Sequence, residues 1–488
     1  MKKLMLPMLI FLSLTACNEA KKGSASGNAL ADNPLLKESN LPFSTPDFSK
    51  IKSADFEPAI LEGIRLKKEA VHKIITNTDA PTFDNTLVEL EKSGVVLNRS
   101  LAPFHALTGA NTNDTLQQVQ EKIAPLLSEI NDYVYLNDSL FQRVKMLYDQ
   151  RSTLNLDPES AKLLQEYYTD FKIAGAELPD DKKEELKKMN AQLATLSTKF
   201  QKTLLAANND GAVVFKDKND LAGLSEGQLE AYKNKDGEGW KIPLQNTTQQ
   251  PLLSDLTNRD SRRIIFSASW ERGNGGKDDT KAIIAEMANL RAKKAQLLGF
   301  KNFAEWRLQK TMAKTPENVF KMFAGLIPPA TAKARIEADT IQNLINRSGE
   351  KFTLEPYDWN FFAEKVRKEK YDLDENQIKP YFLLKTVLEK GVFFAATQLY
   401  GITFKQRTDI PVYHPDVLVY ELTEADGTPL GLFYGDYFAR PSKRGGAWMS
   451  NLVEQSKLLN KKPVIYNVCN FQKPSGNEPA LLTFDNVI

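Results

Sequence analysis

Residues 182–205 read KKEELKKMNAQLATLSTKFQKTLL. Their large apolar side chains recur at intervals of three or four residues, at Leu186, Met189, Leu193, Leu196, Phe200 and Leu204. This spacing places the apolar side chains on one face of an α-helix and the Lys, Gln, Asn and Thr side chains on the other. The same period recurs in much of the chain after Asp55, so the sequence predicts a mainly α-helical protein.

Start signals mark several of the predicted helices. Asp157 before Pro158 and Thr315 before Pro316 each place a capping side chain ahead of a proline that fits the first helical turn. Further helices are predicted over Phe83–Leu97, Asp278–Leu298 and Val319–Asn346. The chain shows no short internal repeat, which disfavours a repeat solenoid.

Strand signals are concentrated in the last part of the chain. Runs rich in β-branched and aromatic residues lie at Ile402–Arg407, Val417–Leu422, Leu430–Tyr434, Pro463–Val468 and Ala480–Phe484. An Asp-Gly pair, Asp426-Gly427, falls between the second and third runs and is typical of a hairpin turn. The sequence therefore predicts a small antiparallel sheet near the C-terminus of a helical body.

Composition excludes several classes of protein. The 488 residues are 42% hydrophobic and 26% charged, values that exclude a disordered, collagen-like or multi-span membrane chain. Lys and Arg number 64 against 62 Asp and Glu, so the net charge of +2 gives no indication of nucleic-acid binding. Two Cys exclude a disulfide scaffold.

The first residues have the pattern of an export signal. Two Lys precede the apolar run Leu4–Leu14, which is too short to span a bilayer as a helix. The sequence Leu14–Cys17 resembles the bacterial lipobox, in which the Cys is lipidated. Residues 1–16 therefore predict a lipoprotein signal peptide and Cys17 a lipid anchor, with a plain signal peptide as the alternative.

The residues that follow predict a flexible tether. Residues 18–42 contain no aromatic side chain and are rich in Gly, Ser, Ala and Asn, so they bury too little apolar surface to order themselves. The predicted tether spans 17–42. We expect a protein anchored to the lipid membrane of the cell envelope, either periplasmic or associated with the outer membrane.

Several common catalytic motifs are absent from the sequence. The three His are His72, His105 and His414; no two of them are four residues apart and none precedes a Glu, so no helical zinc pair is present. A Gly-x-Ser-x-Gly nucleophile turn is also absent. The run Gly273–Lys277 lacks the spacing of a phosphate loop and predicts a helix-entry loop, while Cys469 predicts a buried structural thiol.

The densest unusual stretch is residues 433–448, FYGDYFARPSKRGGAW. It follows a predicted strand, and its candidate functional residues are Tyr434, Asp436, Arg440, Lys443, Arg444, Gly445, Gly446 and Trp448. The glycine pair permits positive φ or the close approach of a ligand to the backbone. The segment is either a loop lining a substrate cleft or an ion-paired surface loop, and the residues alone leave both open.

This stretch also carries a family resemblance. Continued as FYGDYFARPSKRGGAWMSN (433–451), and together with PVIYNVCNFQKP (463–474) and EPALLTFDNV (478–487), it resembles the bacterial peptidyl-dipeptidases. These belong to the thimet oligopeptidase family of zinc metallopeptidases. The resemblance extends upstream through YHPDVLVYEL (413–422) and LRAKKAQLLGFKNFAEW (290–306) to residues 33–60.

The resemblance implies a fold and an activity. It implies a bilobed, mostly helical and monomeric protein with a deep channel that admits short peptides. It also implies a Zn²⁺ bound by a His-Glu-x-x-His helix and a downstream Glu, and release of dipeptides from free C-termini. We expect an N-terminal helical domain over 43–250 and the beginning of a metallopeptidase catalytic domain over 251–488.

The sequence departs from the family at the zinc helix. In relatives that helix follows the EPALLTFDNV segment, whereas here the sequence ends at Ile488 after an apparent helix start at Asp485-Asn486. No metal ligand, general base or transition-state Tyr of the family is carried onto a residue of this chain. We therefore expect a truncated catalytic domain without zinc-dependent cleavage. The alternatives are a non-catalytic peptide-binding lipoprotein and a non-functional gene fragment.

Overall fold

The computed structural model describes residues 30–372, 375–474 and 479–488. The predicted signal peptide, Cys17 and the first part of the predicted tether lie outside the described residues. The last part of that tether, residues 30–42, is packed against the body. Leu35 is 2% exposed and joins the core around Phe56 and Phe104, and the buried Asn33 donates to the Asp55 carbonyl at 2.8 Å. These contacts hold a stretch whose composition predicts flexibility.

The body is mainly α-helical, as predicted. The helices of ten or more residues are α1 (Phe56–Ile75), α2 (Val95–Ala110), α3 (Asp114–Tyr135), α4 (Asp138–Asp149), α5 (Pro158–Ala174), α6 (Asp180–Asp210), α7 (Asn246–Asp255), α8 (Arg259–Trp270), α9 (Lys281–Leu297), α10 (Pro316–Arg347) and α11 (Trp359–Tyr371). Shorter helices cover Glu89–Ser93, Glu226–Ala231, Phe303–Leu308, Glu375–Ile378, Leu384–Thr386, Phe394–Tyr400 and Phe484–Val487. Wider helical turns cover Phe83–Val88 and Val387–Phe393.

The predicted start signals cap their helices. The Asp157 carboxylate accepts hydrogen bonds from the backbone N–H groups of Glu159 and Ser160, at 2.9 and 3.2 Å, at the start of α5. Thr315 accepts from the N–H of Asn318 at 3.4 Å at the start of α10. Each cap satisfies donors that have no partner within the helix.

The apolar stripe of residues 182–205 lies on α6. Leu186 and Met189 are buried, whereas the later members, such as Phe200, are half-buried. The helix therefore packs fully at its beginning and is partly open toward its end.

The helix predicted over Phe83–Leu97 is divided. Thr82 caps a wide turn over Phe83–Val88, and a turn at Gly94 separates the short helix Glu89–Ser93 from α2. Glycine is the least favourable residue inside a helix apart from proline, which explains the break. A second glycine, Gly63 on α1, allows α2 to approach closely, because a Cβ there would lie 2.7 Å from the Cα of Leu97.

Five strands form the predicted C-terminal sheet. They are β3 (Thr403–Arg407), β4 (Leu418–Thr423), β5 (Pro429–Phe438), β6 (Trp448–Val453) and β7 (Val464–Phe471), and a separate pair joins β1 (Val213–Phe215) to β2 (Trp240–Ile242). The five strands lie in the order β3-β4-β5-β7-β6. The predicted small sheet is confirmed: three of its four pairings are antiparallel, and β5 and β7 run parallel. The chain leaves β5, forms β6 at the sheet edge and returns as β7 between them.

The predicted strand Ala480–Phe484 does not form. Leu481 makes a single bridge to Leu383, and a short helix begins at Phe484 with Thr483 as its cap. Thr483, rather than Asp485, accepts the N–H of Asn486 at 3.1 Å. The sheet itself is a central layer. One face packs on α2 through Ala106 and Ala110, and the other packs on the helical run 384–400.

Candidate functional site

Residues 433–448 leave the sheet at the end of β5, cross the carboxyl end of α2 and return as β6. The Arg440 Nε donates to the carbonyl oxygen of Ala110 at 2.8 Å, and the Arg444 backbone N–H donates to that of Gly109 at 2.9 Å. These are terminal carbonyls of α2, which have no partner within the helix. The segment therefore joins the sheet to the N-terminal helices.

A buried carboxylate organises the segment. Asp436 is 0% exposed and lies between Arg440 and Lys443, which is also 0% exposed. The Lys443 Nζ donates to Asp436 Oδ1 at 2.8 Å, to the Asp436 carbonyl at 3.1 Å and to the Cys469 carbonyl at 3.0 Å. Arg440 donates to both carboxylate oxygens, with Nη1 2.9 Å from Oδ1. All three donors of the lysine ammonium are satisfied.

The environment of this cluster shifts several pKa values. Burial acts to raise the pKa of Asp436, but the hydrogen bonds from Arg440 and Lys443 outweigh it, and the pKa is lowered. Burial lowers the pKa of Lys443 to about 8, against the opposing effect of Asp436. The Tyr413 hydroxyl donates to Asp436 Oδ2 at 2.8 Å, and burial together with Asp436 raises the pKa of that phenol.

The charged groups of the cluster bind one another rather than a ligand. Asp436, Arg440 and Lys443 have their polar atoms directed at each other and at backbone carbonyls. Tyr434 is likewise 0% exposed, with its hydroxyl 3.4 Å from the Pro411 carbonyl oxygen. One interpretation of the sequence was an ion-paired surface loop. The ion pairs are present, but they are buried.

The outer end of the segment faces solvent. Gly445 and Gly446 are exposed, and no atom lies within 4 Å of a Cβ built on either of them. The Arg444 guanidinium lies 5.9 Å from the centroid of the Trp448 ring, and its Nη1 donates to Gln201 of α6 at 3.1 Å. The sequence-predicted residues thus divide into a buried group of four, the half-buried Arg444 and Trp448, and the exposed Gly445 and Gly446.

The described residues do not fit a zinc ion. Within ranges 30–372, 375–474 and 479–488, no three or more His, Cys, Asp or Glu side chains are grouped in a way that could hold a metal. His72 lies on α1, His105 on α2 and His414 in the loop before β4. The His414 Nδ1 accepts the backbone N–H of Asp416 at 3.2 Å, and Arg444 together with burial lowers the pKa of His105.

A second buried carboxylate was not predicted from the sequence. Asp358, in the turn before α11, is 0% exposed and pairs with Arg259 and Arg262 of α8 at 2.8 and 2.9 Å. The two arginines are three residues apart on one helix, which is the available sequence signal. Nothing in the sequence points from them to an aspartate about a hundred residues later.

Comparison with known proteins identifies relatives along most of the chain. The sequence model of peptidase family M3 matches residues 252–488. The chain is 47% identical over 465 residues to the dipeptidyl carboxypeptidase of Salmonella typhimurium and 30% identical over 468 residues to the oligopeptidase A of Escherichia coli. A solved structure described as a putative oligoendopeptidase F from Bacillus anthracis aligns over 86% of this chain and 62% of its own, with 17% identity and a TM-score of 0.42.

The predicted location in the cell envelope is wrong. The matched proteins are described as dipeptidyl carboxypeptidases and oligopeptidases A, and a cytosolic oligopeptidase A of Arabidopsis thaliana is among them. Among the described residues, no helix is both long enough and apolar enough to cross a membrane. The prediction rested on one short apolar run followed by a Cys, a pattern with few constrained positions.

The extent of the match establishes the family. The alignment with the Salmonella protein covers 94% of this chain and 68% of that protein, and the alignment with the E. coli oligopeptidase A covers 93% and 68%. The resemblance noted in residues 433–487 is thus confirmed along nearly the whole sequence. The chain belongs to peptidase family M3.

Proposed function

We propose that the protein is a zinc-dependent peptidyl-dipeptidase, which releases dipeptides from the free C-termini of short peptides. The proposal rests on the difference between the sequence identities to two kinds of relative. The chain is 47% identical to a dipeptidyl carboxypeptidase and 30% identical to an oligopeptidase A, over nearly the same residues.

The zinc ligands are not among the residues present. No His of the 488 residues precedes a Glu, and among the described residues no group of three or more His, Cys, Asp or Glu could hold a metal. We therefore expect these residues by themselves to be inactive. When bound, zinc supplies an activated water for peptide hydrolysis in metallopeptidases. The chain spans about two thirds of the length of its relatives.

The segment 433–448 is proposed as part of the peptide-binding wall. Its exposed Gly445 and Gly446 leave room for a peptide backbone, and Arg444 beside Trp448 offers a cation and an aromatic face. The buried cluster of Asp436, Arg440 and Lys443 is given a positioning role, since it holds this loop on α2 without contacting solvent. The division between the N-terminal helical domain and the catalytic domain is proposed near residue 250, and the family match beginning at residue 252 supports it.

A chimera tests the activity. The part of the Salmonella relative that this chain does not match is joined to the 488 residues, and peptide hydrolysis is followed by mass spectrometry. We expect the chimera to shorten peptides by two residues at a time from a free C-terminus, with complete loss on addition of a chelator. The unmodified chain is expected to be inactive with or without added Zn²⁺.

A substrate pair distinguishes dipeptide release from internal cleavage. The same peptide with an amidated C-terminus is the matched control, and the chimera is expected to leave it intact. Equal cleavage of the two peptides at internal bonds would overturn the peptidyl-dipeptidase assignment in favour of an endopeptidase. A folded but inactive chimera, or a chelator-sensitive release of dipeptides by the chain alone, would also contradict the proposal.

A further inference from the structure

A cavity lies apart from segment 433–448, where α7, α8, α10 and the start of α11 meet. Its volume is about 510 Å³, within the range of cavities that bind small ligands. Its walls include Phe266, Trp270, Glu355, Trp359 and Asn360, and it shares no residue with the segment described above.

The walls of this cavity are aromatic and accessible. Trp270 is 73% exposed, although tryptophan is among the most costly side chains to leave in water. Its ring lies 5.6 Å from that of Phe266, and Trp359 contributes a second indole. The negative face of an indole attracts a cation, and a planar cation stacks on it best.

A single charged side chain lines the cavity. Glu355 is exposed at the rim, where its side chain accepts the backbone N–H of Asp358 in a capping box. Among the described residues, no Lys or Arg forms a salt bridge with its carboxylate. The nearby cations are already paired, because Arg259 and Arg262 bind Asp358. Arg259 also lies over the ring of Phe352, at 3.9 Å from its centroid. The cavity therefore offers a ligand the remaining acceptor sites of a carboxylate that makes one backbone hydrogen bond, and the nearby arginines are already paired.

We propose that this cavity binds the arginine side chain of a peptide. A guanidinium stacks on the indole of Trp270 or Trp359 while donating two hydrogen bonds to the Glu355 carboxylate, and the Asn360 amide oxygen accepts a further one. An anion is repelled by Glu355, and a purely apolar group desolvates that carboxylate without pairing its charge. The site is additional to the proposed catalytic function and requires no zinc.

A titration of the full chain tests the proposal. The probe is N-acetyl-arginine amide, whose ends carry no charge, and binding is followed by ligand-observed NMR. Because a charge-assisted hydrogen bond contributes about 1.5–3 kcal/mol, Glu355→Gln is expected to weaken binding about tenfold or more. The matched control, Glu350→Gln, removes the same charge from the same loop outside the cavity and is expected to leave the affinity unchanged.

Three further measurements define the outcome. Trp270→Leu changes an exposed side chain, so its fold is expected to survive, and it should weaken binding several-fold. N-acetyl-lysine amide is expected to bind less tightly than the arginine probe, and N-acetyl-leucine amide not at all. Absence of arginine binding, equal affinity in Glu355→Gln, or a leucine probe that binds as well as arginine would overturn the proposal. None of these readouts depends on peptide hydrolysis, so failure here is separate from failure of the proposed activity.

Discussion

Two buried aspartates each form ion pairs that join two elements of the fold. Asp436 joins the sheet to α2, and Asp358 joins the turn before α11 to α8; both are 0% exposed and both lie between two cations. The difference lies in the cations. Lys443 is 0% exposed and depends on Asp436 for its charge compensation, whereas Arg259 is 35% exposed at its side chain.

The cations of both clusters donate to backbone carbonyls, whereas those of the second cluster also lie over aromatic rings. Arg262 also donates to the carbonyl oxygens of Leu256 and Thr257, at 2.8 and 3.2 Å, and its guanidinium lies 4.3 Å from the ring centroid of Phe361. It is less completely satisfied, since its Nε has no hydrogen-bond partner. The free energy lost when a buried carboxylate is removed therefore depends on which other groups its former cationic partners contact.

The largest effect is expected for Asp436→Asn. The substitution leaves Lys443 and Arg440 buried without a neutralising charge, and breaking a buried ion pair in this way costs about 3–5 kcal/mol. The measurement is the free energy of unfolding in urea at pH 7. The control Asp149→Asn removes an exposed partner of Lys145, for which about 1 kcal/mol or less is expected. If Asp436→Asn lowers the free energy of unfolding no more than the control does, the cluster does not hold the sheet against α2.

A third buried aspartate differs from both, because it forms no salt bridge with a cation among the described residues. Asp132 on α3 is 5% exposed and accepts only the Asn190 amide, at 2.8 Å, while Lys294 reaches the far side of that amide. Burial raises the pKa of Asp132 to about 6, the opposite of the lowered pKa of Asp436. The folded state therefore binds more protons than the unfolded state between about pH 4 and pH 6.

The second prediction is a pH profile for Asp132→Asn. The stabilising contribution of protonated Asp132 is present below about pH 4 and is lost as the pH rises through 6, by about 3 kcal/mol in total. The unfolding free energy of the variant lacks this dependence on pH. Between about pH 4 and pH 6 the wild type should therefore lose stability relative to the variant. Asp339→Asn, at an exposed position of α10, is the control and should leave the profile of the wild type unchanged.

The third prediction concerns Asp358→Asn, with an expected loss of about 2 kcal/mol. Hydrogen bonds to charged groups contribute about 1.5–3 kcal/mol, and both arginines keep other contacts with rings or carbonyls. The measurement is urea unfolding under the conditions used for Asp436→Asn. A loss of unfolding free energy equal to or greater than that of Asp436→Asn would contradict this expectation. It would show that the other contacts of Arg259 and Arg262 do not reduce the cost of removing the carboxylate.

The sequence predicts the local features of this fold well. The stripe on α6 and the caps Asp157 and Thr315 depend on residues within four positions of one another, and the structure has each of them. The parallel pairing of β5 with β7 was missed because it depends on the placement of β6, whose sequence WMSNLV alternates weakly.

The candidate site follows the same division. Asp436, Arg440 and Lys443 lie within eight residues, so their density drew attention to them. Their burial depends on Ala110 and Tyr413, which the sequence does not connect to them. The pairing of Arg262 with Asp358 spans 96 residues and has no local signal at all.

The smallest effect is expected at the outer end of the first cluster, where Gly446 has a φ of +94°. A side chain in that backbone region costs about 1 kcal/mol, even though no atom lies near the position of the added Cβ. The loop is not free to relieve the strain by turning over, because Asn470 donates to the carbonyls of Arg444 and Gly446 at 2.9 and 2.7 Å.

Gly446→Ala is therefore expected to lower the free energy of unfolding by about 1 kcal/mol, measured in urea as before. Gly445→Ala is the matched control, because Gly445 is equally open but lies outside the left-handed region, and it should change stability by less than about 0.5 kcal/mol. Equal effects at the two glycines would mean that the loop readjusts beyond Lys443. In that case Asp436 would fix the backbone only as far as Lys443 and would leave Gly445 and Gly446 free to move. The cluster would then not position the proposed peptide-binding wall.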